Sequence, residues 1–275
     1  MDDDELMERL KAANNPLALY GTGTEAGEDA NAKPQDGGTG TEAGQREEDG
    51  GTPATGHFDT DQFLAGLDAI YDAHEASTKA GPYLEQAMVD AENAGDDAGL
   101  LTVLNETMGF YRSQGRHKDN QWIIQRAIEL ATRMGLEGTE AWTTTLINAA
   151  TGMRAAGNYD QAEALYKMAQ ADSERTLSPS DRRLAALHNN LSMLYSETGR
   201  THESELELRE ALRILETSSP DADADLDVAS TNTNLALVLL SENKLEGADW
   251  HAAKALEIYR NGHLEHSAHY ASALA

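Results

Sequence analysis

The sequence predicts an all-α protein, an α-α superhelix of stacked helical hairpins that follows a disordered acidic leader. Two observations carry this prediction. From Asp59 onward, helical segments of about 15 residues alternate with short breaks marked by Gly, Asn or Ser. The breaks also recur at nearly constant spacing, with similar residues at fixed offsets around them, which indicates that the segments are copies of one unit.

Residues 1–58 form the leader. Residues 21–56 are rich in Gly, Thr, Ala and acidic residues and hold hardly any large apolar side chain, so burial cannot offset the entropy lost on ordering. The heptapeptide Gly-Thr-Gly-Thr-Glu-Ala-Gly occurs twice, at Gly21–Gly27 and Gly38–Gly44. Neither copy is followed by the Lys that a phosphate-binding loop requires, and we interpret the repeat as linker sequence.

A short acidic stretch precedes this linker. Leu6, Met7 and Leu10 follow a cluster of Asp residues that suits the start of a helix. Two interpretations stay open, a docking motif or a frayed terminus that happens to contain leucines.

The repeat begins at residue 59. Four turns are centred on Gly115, Gly157, Gly199 and Asn243, at spacings of 42, 42 and 44 residues. An alanine stands twelve residues after each turn, and an earlier alanine extends the series by one unit. The alanines are Ala87, Ala127, Ala169, Ala211 and Ala255.

A large residue usually stands four positions before each turn and a small one five positions after it, which is how two antiparallel helices interlock. Asn120 takes the small position in the second unit, so we expect looser packing there. The predicted repeat domain spans 59–275, with hairpins at about 59–94, 97–134, 139–175, 181–217 and 226–261 and a half repeat at 266–275.

Two pairs of segments resemble tetratricopeptide repeats. They run from Leu187–Leu191 to Ala211–Ile214 and from Thr233–Ala236 to Ala255–Ile258. The 42-residue period resembles that of the kinesin-light-chain subtype. The resemblance is weakest in the first hairpin, where Gly81-Pro82 interrupts the expected helix start. Periodicity by itself implies a solenoid, because one hairpin cannot bury its apolar face whereas several stacked hairpins can.

The resemblance implies a concave groove lined by the first helix of each pair, in which polar side chains, often Asn with a basic residue, hold a ligand peptide. An Asn side chain can bracket a peptide bond of an extended ligand, and arginines can bind its carboxylate. Bonding between helices inside the stack is the alternative role for the Asn residues, and surface ion pairing is the alternative for the arginines. The candidate groove residues are Asn105, Arg112, Asn148, Thr151, Arg154, Asn189, Asn190 and Asn234.

Composition excludes several classes of protein. The 21 basic and 48 acidic residues give a formal net charge of -27, which repels nucleic acid and anionic membrane surfaces. The chain has no cysteine, so it has no disulfide and no thiolate metal site. The acidic amino terminus does not resemble a secretory signal, and no apolar segment approaches the ~20 residues of a membrane span. These features predict a cytoplasmic protein that needs no cofactor.

No motif indicates catalysis or metal binding. The densest histidine group is His263, His266 and His269, just after the fifth hairpin, and the sequence contains no HExxH pattern. A Gly-x-Ser-x-Gly elbow and a dinucleotide fingerprint are also absent from the sequence. We therefore expect no metal site and no enzyme.

The leading hypothesis is a scaffold or adaptor that binds a protein or peptide ligand in the groove. A ligand-responsive, peptide-sensing regulator and a self-associating scaffold are the alternatives. The third draws on residues 266–275, which read as the first helix of a sixth repeat. Either the chain is cut from a longer array, or that apolar surface meets another chain.

Overall fold

The computed structural model describes residues 57–264, Tyr270 and residues 273–274. Within this part the chain forms ten α-helices, one short 3-10 helix and no strand, which confirms the predicted all-α class. The leader lies outside the described residues apart from His57 and Phe58. The predicted half repeat lies outside them apart from Tyr270, Ala273 and Leu274.

The ten helices pair in chain order into five hairpins. The pairs are α1 (Thr60–Asp72) with α2 (Ala76–Ala94), α3 (Asp97–Ser113) with α4 (His117–Arg133), α5 (Glu140–Ala155) with α6 (Tyr159–Thr176), α7 (Arg182–Glu197) with α8 (Thr201–Ser218), and α9 (Leu226–Ser241) with α10 (Leu245–Asn261). The 3-10 helix Ala222–Ala224 lies in the acidic loop before α9.

The first helix of every hairpin begins at a side-chain cap. In each case a carboxylate or hydroxyl oxygen accepts a hydrogen bond from an amide of the first turn, which satisfies a donor that has no partner inside the helix. The capping residues are Asp59, Asp96, Thr139, Asp181 and Asp225.

The turn inside every hairpin contains one residue with positive φ, which reverses the chain between the two helices. Three of these residues are glycines, which adopt this conformation without steric cost. The residues are His74, Gly115, Gly157, Gly199 and Asn243. The repeated turn predicted from the sequence therefore has a common backbone geometry.

Helix α2 differs from its expected start. It begins at Ala76 and continues through Pro82, whereas the sequence favoured a start near residue 79 interrupted by Gly81-Pro82. A proline this far from the start of a helix removes one backbone hydrogen bond. Pro82 is exposed, and the residues on either side of it along the buried face, Ala80 and Leu84, are fully buried. Packing of this face offsets the lost bond.

Close packing also holds at Asn120, where the expectation of looser packing is wrong. Asn120 is 1% exposed, and its Nδ2 donates to the Met108 carbonyl at 3.2 Å. Gly152 on α5 provides the space, since a Cβ there would lie 3.0 Å from Asn120 Nδ2. Ser204 takes the same position two hairpins later and donates to the Ser192 carbonyl at 2.8 Å.

Two tyrosine–arginine clamps join successive hairpins. Tyr111 Oη donates to Glu85 at 3.1 Å, and the Arg116 guanidinium lies 3.9 Å from the centroid of the Tyr111 ring. Tyr195 Oη donates to Glu163 at 3.2 Å, with Arg200 4.2 Å from its ring centroid. Burial and the nearby Glu163 carboxylate raise the pKa of Tyr195 to about 12, so this hydroxyl stays a donor at neutral pH.

The apolar core consists of two clusters of buried side chains. The larger cluster fills hairpins one to three and includes one face of α7. The smaller cluster fills hairpins four and five. In the described part of the chain, no helix is long and apolar enough to cross a membrane.

Candidate functional site

The first helices of the hairpins form the inner row of the stack. Helices α3 and α5 contact each other directly, as do α5 and α7, whereas the second helices of neighbouring hairpins approach each other less. The more closely spaced row lies on the inside of a curved stack. We define the inner face as the solvent-facing side of α3, α5, α7 and α9. All the predicted site residues lie on these four helices.

Asn105 is part of the contact between α3 and α5. Its Nδ2 donates to the Leu101 carbonyl at 3.0 Å and to Thr145 Oγ1 at 3.1 Å. Its Oδ1 accepts from Asn148 Nδ2 at 2.9 Å. Three of the side chain's hydrogen-bonding positions are therefore used within the protein.

Asn189 joins α7 to α9 in the same way. Its Nδ2 donates to the Ala185 carbonyl at 3.1 Å and to Thr231 Oγ1 at 3.1 Å. Thr145 and Thr231 are fully buried. We call the Asn105–Thr145 and Asn189–Thr231 pairs the inter-helix ties. They correspond to the alternative role that the sequence left open, bonding inside the stack.

Asn190 and Asn234 are half-buried on the inner face. Neither side chain makes a hydrogen bond to another residue in the described part of the chain, whereas Asn148 bonds to Asn105. All three stand nine residues before their turns, so they occupy one register on three successive helices. Their amide groups are available to different degrees, with two free and one engaged.

The two arginines of the inner face differ in their contacts. Arg154 is largely buried and forms an ion pair with Glu197 of the next hairpin. Its Nε is buried and has no hydrogen-bond acceptor among the described residues. Arg112 is exposed, and it makes no ion pair within the same part of the chain. A free guanidinium on a strongly acidic protein is a candidate binding group for an anion.

Thr151 lies between these arginines and bonds to a residue that the sequence did not single out. Its Oγ1 and the Tyr166 hydroxyl are 2.8 Å apart, and Tyr166 is fully buried. Burial raises the pKa of Tyr166, although the Thr151 hydrogen bond and both arginines oppose the rise. Tyr166 stands nine residues after its turn, where Ile124 and Leu208 occupy the equivalent positions, so the sequence pattern predicts only a large buried residue there.

Apolar side chains take over the inner face toward the fifth hairpin. At the position six residues before the turn, Gly109 and Thr151 are succeeded by Met193 and Leu237. Met193 is 43% exposed and Leu237 is 51% exposed. The inner face is therefore basic and polar along α3 and α5 and apolar along α7 and α9.

One group with possible metal-binding chemistry occurs among the described residues. His202, Glu205 and Glu242 each offer one potential ligand atom, and these three atoms lie within 4.8 Å of one another. Two cations already occupy this group, because Lys244 Nζ lies 2.5 Å from Glu205 and 2.8 Å from Glu242, and Arg209 lies 2.6 Å from Glu205. Burial alone would raise the pKa of Glu205, but hydrogen bonds from Lys244 and Arg209 hold it well below its usual range.

The group is therefore an ion-pair network between hairpins four and five. The histidine group noted in the sequence cannot be placed, since His266 and His269 lie outside the described residues.

Two polar pairs inside hairpins four and five were not predicted from the sequence. His188 Nδ1 lies 2.5 Å from Glu207 Oε2, and His251 Nδ1 lies 2.7 Å from Asn232 Oδ1. The equivalent pairs in hairpins two and three are apolar, Leu104 with Ile123 and Leu146 with Leu165. Aligning the repeats at eleven residues before and eight after each turn reveals these substitutions.

Five stacked hairpins whose first helices form an inner row define an α-solenoid of the repeat-protein class. Residues 141–217 match the family model of the tetratricopeptide repeat. No curated protein sequence matches the chain. Among solved structures, BtubC (BKLC) from P. vanneervenii is 20% identical, with 75% of this chain and 82% of that chain covered and a TM-score of 0.66.

Two further structures are of a TPR-like repeat protein of the kinesin-light-chain kind from Podosopora anserina. The first is 13% identical, covering 75% of this chain and 97% of that chain with a TM-score of 0.62. The second, a single-residue variant, is 13% identical with 74% and 96% covered and a TM-score of 0.64. The similarity to these three structures is a similarity of fold.

Residues 141–217 are accordingly of the tetratricopeptide-repeat kind, and the fold of the chain is similar to that of kinesin-light-chain-like repeat proteins, as the resemblance predicted. Solenoids of this kind present extended concave surfaces on which other proteins bind. The fold therefore supports a general role as a protein-interaction scaffold.

Proposed function

We propose that the inner face binds an extended segment of a partner protein, and that the chain serves as a non-enzymatic adaptor in the cytoplasm. The main support for this proposal is that Asn148, Asn190 and Asn234 occupy equivalent positions on three successive helices. Asn190 and Asn234 make no hydrogen bond to another described residue. A half-buried amide without a protein partner keeps only part of its hydrogen bonding to water, and a ligand backbone can supply the rest.

The proposal assigns different roles to the predicted residues. Asn105 and Asn189 hold neighbouring helices in register through the inter-helix ties. Asn190 and Asn234 bracket the ligand backbone, with Asn148 joining them when its bond to Asn105 rearranges. Arg112 and Arg154 favour an acidic ligand residue near α3 and α5, with Thr151 between them.

The remaining part of the ligand meets a different surface. Met193 and Leu237 favour an apolar ligand residue toward α9, since both are exposed on the inner face. Neighbouring helices in the row are about 8–10 Å apart, and an extended chain rises about 3.3 Å per residue, so a ligand advances about three residues per hairpin. The proposed ligand therefore carries its acidic and apolar residues about three to six positions apart.

Peptide selection followed by titration tests the proposal. Peptides selected from a random displayed library on the immobilised chain should share an acidic and an apolar residue at this separation. Fluorescence anisotropy with a selected peptide then compares the chain with its Asn190→Ala, Asn234→Ala double variant. Each hydrogen bond from an Asn side-chain amide to the ligand contributes about 0.5–1.5 kcal/mol. Loss of both side chains should therefore lower the affinity about tenfold.

Asn93→Ala is the matched control, since Asn93 is an exposed amide on α2, outside the inner face. Its affinity for the peptide should equal that of the unchanged chain. Equal affinity of the double variant and the control, with circular dichroism showing both folded, would contradict binding at the inner face.

A further inference from the structure

The fifth hairpin has a gap where the preceding hairpins have a large side chain. Nine residues after their turns, the second to fourth hairpins carry Ile124, Tyr166 and Leu208, all fully buried. The fifth carries Ala252 at this position. Ala252 lines a cavity of about 270 Å³, which we call the end groove, together with Leu237, Leu240, Leu245, Ala248 and Ala273.

The end groove is exposed and apolar. Leu237, Leu240 and Leu245 on its rim are 51%, 56% and 58% exposed. Clustered exposed leucines are typical of an interaction surface, whereas single ones are common on any protein. An apolar cavity of about 150 Å³ already accepts a group the size of benzene, so the end groove has room for a leucine side chain.

The same surface also carries a side chain that fits such a cavity. Leu274 follows Ala273, which lines the groove, and Leu274 is 58% exposed. One patch therefore presents both a leucine-sized cavity and a leucine that points into solvent. A patch that contains both parts of a contact is self-complementary, which is what a two-fold symmetric interface requires.

Charge favours the same arrangement. Two copies of a chain with net charge -27 repel each other, so they can meet only where carboxylates are sparse. Among the described residues that line the end groove, only Asp249 is charged. The cavity at the opposite end of the stack is lined by Asp59 and Asp90 as well as by the aromatic side chains of Phe58, Phe63 and Tyr83. Head-to-tail contact would place the leucines of one copy against those carboxylates, and desolvating them is costly.

We propose that two copies of this chain pair through their end grooves around a two-fold axis, with Leu274 of each copy entering the groove of the other beside Ala252. The contact lies at the end of the stack and leaves the inner faces of hairpins two to four of both copies accessible. Leu237 belongs to both surfaces, so pairing and ligand binding would compete at the fifth hairpin. The inference does not depend on the proposed binding of a partner segment.

Sedimentation equilibrium of the purified full chain tests the pairing. The apparent mass should rise with protein concentration from the monomer mass toward twice that mass and no further. Added salt should strengthen the association, because it screens the repulsion between the two acidic copies. A monomer mass at every concentration, or a mass that grows beyond the dimer, would overturn the proposal.

Two variants and a control locate the contact. Leu240→Glu places a charge on an already exposed rim position and should weaken dimerisation at least about tenfold. Ala252→Phe fills the groove without adding charge and should have the same effect. Leu206→Glu is the matched control, because Leu206 is 54% exposed on α8 and does not line the groove. Pairing that survives Leu240→Glu and Ala252→Phe, or that the control abolishes equally, contradicts the proposed contact.

Discussion

At Gly152, on the buried side of α5, an added Cβ would stand 2.8 Å from Ile124 Cδ1 and 3.0 Å from Asn120 Nδ2. Asn120 cannot retreat easily, because its Nδ2 is bonded to the Met108 carbonyl of the same hairpin. The glycine is therefore required by the contact between hairpins two and three, although glycine in a helix interior is itself unfavourable.

Gly152→Ala should destabilise the protein. Overpacking of this kind costs about 1–3 kcal/mol, and the better helix propensity of alanine returns up to about 1 kcal/mol. We expect a net loss of about 1 kcal/mol in the free energy of unfolding, measured by chemical denaturation. Gly109→Ala on α3 is the control, since a Cβ there meets nothing within 4 Å, and it should stabilise the protein slightly. Stabilisation by both substitutions would show that the contact at Gly152 is loose.

At the scale of the elements, Asp225 connects the start of one helix to the start of another. It caps α9 and accepts two hydrogen bonds from Arg182, at the start of α7, at 2.7 and 2.9 Å. Ser219 Oγ donates to it at 2.6 Å. The Arg182 hydrogen bonds, which outweigh the effect of burial, hold the pKa of Asp225 far below its usual range.

Asp225→Asn should cost about 1–2 kcal/mol at neutral pH, because asparagine still caps the helix but loses the charge that pairs with Arg182. A carboxylate whose pKa is lowered by folding stabilises the protein above its unfolded-state pKa of about 3.9 and loses that contribution as pH falls below it. The difference between the two proteins should therefore shrink from about pH 5 toward pH 2, as measured by denaturation at several pH values.

Asp223→Asn provides the comparison for this experiment. Asp223 is exposed in the same loop and pairs with Lys254 at 2.8 Å. Exposed pairs of this kind contribute little, so its substitution should change stability by less than about 1 kcal/mol at every pH. Equal pH dependence of the Asp225→Asn variant and the unchanged chain would contradict the assigned role of the ion pair.

The helices were more predictable from the sequence than the side-chain contacts. Turn residues such as Gly157 and Gly199 recur at a fixed spacing, and a hairpin needs such a residue wherever its two helices meet. The predicted helix 139–155 is observed as Glu140–Ala155. By contrast, the choice between bonding within the stack and contact with a ligand depends on the rotation of each helix against its neighbour.

Adjacent residues on one helix illustrate this limit. Asn189 bonds to Thr231, whereas Asn190 makes no hydrogen bond to another described residue, although the two side chains are chemically identical. Their positions differ by about 100° around a helix with 3.6 residues per turn. Periodicity fixes that angle, but the packing of α7 against α9 decides which asparagine meets the threonine.

For the whole molecule, the polar pairs of hairpins four and five interrupt the apolar core. His188 and Glu207 lie between the two clusters, at positions that Leu146 and Leu165 occupy in the third hairpin. In repeat proteins, regions with weaker internal packing open separately from the rest. The smaller cluster is therefore expected to unfold at lower denaturant concentration than the larger one.

Native-state hydrogen exchange tests this expectation. Amides of α8 to α10 should exchange through an opening of lower free energy than those of α4 to α6. The double substitution His188→Leu, Glu207→Leu should raise the stability of hairpin four by about 1–3 kcal/mol and reduce the difference in opening free energy between the two groups of helices. His188→Leu alone should destabilise hairpin four. A single free energy of opening for all these helices in the unchanged chain would contradict separate unfolding.

The inter-helix ties have a consequence for how such a chain can lengthen. Asn105 and Asn189 are 84 residues apart, as are the clamp residues Arg116 and Arg200, whereas the positions that would tie α5 to α7 hold Ile147 and Leu187. The structural module is thus a pair of hairpins. Duplicating or deleting a whole pair preserves every asparagine–threonine match. Gaining or losing one hairpin would place isoleucine beside threonine and leave the buried threonine hydroxyl without its Asn partner. We therefore expect relatives of this chain to differ in length by even numbers of hairpins.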